Sequence, residues 1–144
     1  MVFFIIMEQL SLPFRLGMDY EELEFELDVL PDRLEGYDSY LYLSNRFNNF
    51  LNYHTHKTEL IFSWDVLNGV VITIGLFNFA DFEILYNSLI EVLGEFQLVT
   101  ENKYLILKFV LTKGELWSCV INKTIHILIA DSRIISSLFY SLLC

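Results

Sequence analysis

Basic residues are scarce. Nine Lys and Arg stand against nineteen Asp and Glu, and the formal net charge is −10. A field of that sign repels phosphate backbones, so no nucleic-acid partner is expected. Cysteine is nearly missing, with only Cys119 and Cys144 in the chain. Two thiols build no disulfide framework and suit a reducing compartment. Cys144 is the last residue of the sequence and lacks the three that must follow it in a prenylation box. No apolar run reaches the roughly eighteen residues a membrane span needs. The stretch Met1-Val2-Phe3-Phe4-Ile5-Ile6-Met7 has neither a basic flank nor a small-residue cleavage site, so it does not read as a signal peptide. It reads as a first strand, or as an extension ahead of a start at Met7. The expectation is a soluble cytoplasmic protein with no membrane partner.

Catalytic motifs are missing too. The glycines are scattered singly, which leaves no phosphate-cradling loop and no dinucleotide fingerprint. There is no Gly-x-Ser-x-Gly elbow. His54 and His56 would share one side of a strand, but no further ligand follows at a familiar spacing. His126 lies between Ile125 and Ile127, and in principle it could act as a base for a Cys119 nucleophile. A strand setting gives that thiol neither a helix N-terminus nor nearby cations to lower its pKa. A buried core thiol and a hydrogen-bonded core histidine are the simpler expectation. Carboxylates lined up in water stay ionised, which does not suit a general acid. No catalytic residue, metal or cofactor is therefore assigned, and the protein is read as not an enzyme.

Apolar residues are plentiful, at 54 % of the 144 positions, against 19 % charged. That length suits one domain with a real core, here residues 1–144. The surplus of apolar surface suggests a partner or a second copy. The acids are concentrated: residues 8–38 hold ten of them and only two bases, Arg15 and Arg33.

Within that segment, Glu22-Leu23-Glu24-Phe25-Glu26-Leu27-Asp28-Val29 alternates acid and apolar residues. Such a period predicts a strand with Leu23, Phe25, Leu27 and Val29 facing the core and four carboxylates facing out. Pro31 would end it. A strand is then expected over 37–43, and a short helix or irregular loop over 45–53. Asn68-Gly69 between β-branched runs predicts a hairpin turn joining 59–67 to 70–77. The second of these strands is almost wholly apolar and should be buried on both faces. Phe82, Leu85, Tyr86, Leu89, Val92 and Leu93 recur at helical steps, with Asn78 or Asp81 as cap and Gly94 beyond the end. Strands over 96–99, 104–111, 116–121 and 125–130 and a closing helix after Asp131 complete the pattern. The fold class is α+β: an antiparallel sheet of six to eight strands, flat or curled toward a barrel, with two packed helices.

Four carboxylates in line repel one another, which a purely structural surface would avoid by mixing in Lys or Thr. Asp32, Glu35 and Asp38 extend the acidity, with Tyr37, Tyr40 and Tyr42 beside it. Carboxylates with rigid aromatics suit the capture of Lys and Arg. The expected partner-binding residues are Glu22, Glu24, Glu26, Asp28, Asp32, Glu35, Tyr37, Asp38, Tyr40 and Tyr42. The expected function is a non-catalytic acidic protein that docks on and neutralises a basic protein. Its most specific form is an immunity protein against a co-encoded toxin, such as a nuclease. The alternatives are an assembly subunit using an apolar homodimer or complex interface, and a small ligand-binding barrel or enzyme.

Overall fold

The computed structural model describes residues 10, 12–76 and 78–143. The expected first strand within residues 1–7 lies outside them. Two short 3-10 turns, Tyr20–Glu22 and Glu24–Glu26, lead into strand β1 (Leu27–Leu30). β2 (Asp38–Tyr42), β3 (Asn49–Phe50), β4 (Tyr53–His54), β5 (Lys57–Ser63) and β6 (Val66–Leu76) follow. Helix α1 (Phe79–Leu93) comes next, then β7 (Gln97–Glu101), β8 (Tyr104–Leu111), β9 (Gly114–Ile121) and β10 (Thr124–Ala130), and finally helix α2 (Ile135–Ser141).

Eight of the strands form one antiparallel sheet in the order β1-β2-β5-β6-β10-β9-β8-β7. The fold is α+β, and the sheet stays open, with β1 and β7 at its two edges. β3 and β4 form a separate small hairpin where a helix or loop was expected over 45–53. Leu51 and Asn52 turn it with positive φ, so Phe47 and Phe50 are buried without a helical turn.

Alternation along the strands divides the core in two. One face collects Leu60, Phe62, Ile72, Ile74, Leu107, Phe109 and Ile127, with α1 packed over it through Leu85 and Leu89. The other collects Ile61, Val71, Ile106, Trp117 and Leu128 under Ile135, Leu138 and Phe139 of α2. β6 is buried on both faces because each helix covers one of them. The Asn78 side chain accepts the Asp81 N–H at 2.9 Å and caps α1.

The hairpin turn differs from the expected one. Trp64-Asp65 makes it, with positive φ at both residues, the pattern of a type I′ turn. Asn68-Gly69 sits inside β6 instead. The β5–β6 register slips there, from Ile61 opposite Gly69 to Phe62 opposite Leu67, so Asn68 is an extra residue in a β-bulge. The glycine allows a close tertiary contact: a Cβ on Gly69 would stand 2.9 Å from Leu138 Cδ1, so the leucine side chain would have to shift. α2 lies against this bare stretch of backbone.

The acidic strand is also corrected. Residues 20–26 are wound into 3-10 turns, with Leu23 N–H donating to Tyr20 O (3.0 Å) and Glu26 N–H to Leu23 O (2.8 Å). Residues three apart eclipse in such turns. Leu23 enters the core, while Phe25 is 94 % exposed and Val29 73 % exposed. Within β1, Leu27 and Leu30 are half-buried while Asp28 and Val29 are exposed, so the expected apolar face does not form there either.

Candidate functional site

The expected site residues surround the β1 edge of the sheet. Residues 17–20 run beside the start of β6: Tyr20 N–H donates to Asp65 O at 2.7 Å and Leu67 N–H to Met18 O at 2.9 Å. The acidic turns are thereby fastened to the β5–β6 hairpin tip. Asp19 N–H donates to a Glu22 carboxylate oxygen at 3.1 Å, which starts the first turn. Tyr20, Tyr40 and Phe62 form an aromatic triangle with centroids 5.3–5.7 Å apart. Burial, then Tyr20, Asp38 and Asp65, raise the Tyr40 pKa, so its hydroxyl stays a donor amid carboxylates.

Glu22, Glu24, Asp28, Asp32, Glu35 and Asp38 are exposed at this end of the sheet. Tyr37 and Tyr40 are half-buried. Two expected contacts are engaged inside the fold. Tyr42 is buried against Phe14, and its hydroxyl donates to Glu26 at 3.3 Å. Glu26 also pairs with Arg46, whose Nε donates at 3.0 Å. Ser44 first, and then Arg46, hold the Glu26 carboxyl below its ordinary pKa. Tyr42 offers no open surface to a partner, and Glu26 brings a charge that is already matched.

Sequence reasoning overlooked Trp64, which is 95 % exposed at the hairpin tip, next to exposed Asp65. It also assigned Phe25 and Val29 to the core. The structure places these apolar side chains at the acidic end. The signal for Trp64 was an aromatic-Asp pair between two β-rich runs.

A second polar constellation lies on the α2 face. The Arg33 guanidinium clasps Glu59, with Nη2 donating at 2.8 and 2.9 Å and Nε at 3.2 Å. Arg33 Nη1 donates to Ser141 Oγ at 3.2 Å, and Lys57 Nζ stands 3.5 Å from Glu59. The arginine therefore pins the β1–β2 loop to β5 and to the last turn of α2. Beside it His126 Nδ1 lies 3.4 Å from Thr73 Oγ1. Burial above all, with the Arg33 charge next, lowers the His126 pKa to about 4. Burial pushes the Cys119 thiol up to about 12, so it holds its proton at neutral pH. Neither group is poised as a base or nucleophile at that pH.

Among the described residues, no group of three or more His, Cys, Asp or Glu is arranged to hold a metal ion. His54 and His56 are both exposed. An open recess of about 900 Å³ between the end of α1 and β7–β8 is lined by Glu95, Phe96, Gln97, Lys108 and Val110, at the opposite edge from the acidic turns. No described helix is long and apolar enough to cross a membrane. No protein-family model matches the sequence, and it matches no curated protein and no solved structure.

Proposed function

We propose that this protein is a non-catalytic binding protein that docks on a basic protein through the β1 edge and the adjoining hairpin tip. Its most specific form is a cytoplasmic immunity protein that covers the cationic cleft of a toxin, such as a nuclease. One observation carries the reading: the large apolar residues Phe25, Val29 and Trp64 are 94 %, 73 % and 95 % exposed, and each is next in sequence to an acid. Large apolar side chains ringed by charge of one sign form the usual layout of an interface, with anchors inside a polar rim. The rim would speed encounter with a cationic surface, and the anchors would slow release.

The test is salt-dependent capture from source cells, followed by kinetics with the purified partner. Glu24→Lys should slow association and flatten its salt dependence. Trp64→Ala should leave association nearly unchanged and accelerate dissociation. If both variants bind as the wild type does, the surface is misassigned. A captured partner that is acidic, or whose binding ignores salt, removes the electrostatic part of the proposal.

A further inference from the structure

The far end of the sheet has a different character. Among the described residues β7 pairs only with β8, and no other described strand meets its outer edge. The tight Asn102-Lys103 loop makes Glu101 and Tyr104 a hydrogen-bonded pair, so by alternation Gln97, Val99 and Glu101 bond inward to β8. The N–H and C=O groups of Leu98 and Thr100 then point outward.

We propose that two copies of this chain associate by pairing their β7 strands antiparallel, on a two-fold axis through Val99. This register sets Leu98 opposite Thr100 of the second copy, twice over, and all four outward N–H groups and carbonyls of each pair are satisfied. It sets each Glu101 opposite a Gln97, so no like charges face each other across the seam. Side chains of Leu98 and Leu105 share one face of the sheet and are 55 % and 63 % exposed. The two-fold axis brings both Leu98 side chains into diagonal contact, flanked by the Leu105 pair, which makes one apolar stripe of four leucines.

Charge selects this edge over the other. Residues 94–115 hold Glu95, Glu101 and Glu115 against Lys103, Lys108 and Lys113, a balanced set. The β1 edge is four residues long, contains Asp28, ends at Pro31 and adjoins the acidic turns. Two copies meeting there would bring like charge together, whereas meeting at β7 keeps their acidic ends apart. The proposal is independent of the partner-binding reading, since the two surfaces lie at opposite edges.

Val99 faces its own counterpart as a non-hydrogen-bonded pair, where Cα atoms stand about 4.5 Å apart. That separation lies within disulfide range. In a Cys144→Ser background, Val99→Cys should therefore form a covalent dimer under mild oxidation, far faster than the exposed control Val110→Cys. Wild-type protein should sediment as a dimer, and Leu98→Lys should sediment as a folded monomer. Equal cross-linking rates for the two cysteines overturn the register. A wild type that is monomeric from nanomolar to high micromolar concentration overturns the association itself. The cysteine comparison decides the matter if Leu98→Lys fails to fold.

Discussion

Replacing Glu59 should unfold the protein more readily than almost any other single change to a charged residue. Its side chain is 4 % exposed, and the facing Arg33 side chain is 19 % exposed. Glu59→Gln keeps the volume and one acceptor but leaves the guanidinium against a neutral amide. Losing charge-assisted hydrogen bonds of this kind costs about 1.5–3 kcal/mol. Glu59→Ala removes the partner altogether and strands a buried cation, at about 3–5 kcal/mol. Lys57 is less affected, because its side chain is 44 % exposed and hydrates in place. Both losses are large beside the roughly 5–15 kcal/mol that holds a domain folded. Urea unfolding at pH 7, followed by the fluorescence of buried Trp117, measures them. The double variant Arg33→Met, Glu59→Leu should cost less than Glu59→Ala alone, because no unpaired charge remains. If Glu59→Ala lies within about 0.5 kcal/mol of wild type, as an ordinary surface change would, the pair is not the pin described above.

Four other outcomes are expected. The His126 pKa is lowered in the folded state, so the unfolded chain binds the extra proton as pH falls from about 6.5 to about 4. Stability is then lost across that window, by at most about 3 kcal/mol and less with solvent screening, and His126→Gln should remove this component from the pH dependence of the urea midpoint. Asn78→Ala should cost about 1 kcal/mol through the lost cap, read as a lower urea midpoint. Gly114→Ala should be severe, since φ is +131° and the new Cβ would collide with the Ala130 carbonyl; thermal unfolding should show a large drop or no folded state. In a Cys144→Ser background Cys119 should resist a thiol reagent in native buffer and react only on unfolding, because it is buried and its pKa is about 12.

The second half of the fold was legible because its instructions are local. Asn122-Lys123 supplies the positive φ of a tight turn, and α1 carries its own cap and apolar stripe. The β8 bounds read from the sequence are those observed. Two features of the first half were not legible, for the same physical reason. Asn68-Gly69 is a strong turn signal, but the structure spends it on a β-bulge under Leu138, a residue far away in sequence that packs against the bare glycine. The acid–apolar alternation is a strong strand signal, yet the core accepted Leu23 and left Phe25 and Val29 in water. The exposed acidic cluster was legible through its charge. The exposed apolar residues beside it were hidden because a hydrophobic residue in an alternating run is assigned inward by default. The Arg33–Glu59 clasp left a fainter trace: a base in a segment of ten acids, and a glutamate heading an apolar strand.

β1, β2, β5 and β6 form one meander and β7 to β10 form another, and among the described residues only the β6–β10 ladder pairs a strand of one with a strand of the other. α1 and the three residues after it carry the chain from one half to the other. A cut at Glu95 would sever that path without breaking a single strand pair. Residues 1–94 and 95–144 would then be natural complementary fragments, each bringing one exposed edge of the shared ladder. Reassembly of the two pieces would regenerate the buried centre, with α2 packing back on β5 and β6 and Arg33 again reaching Ser141.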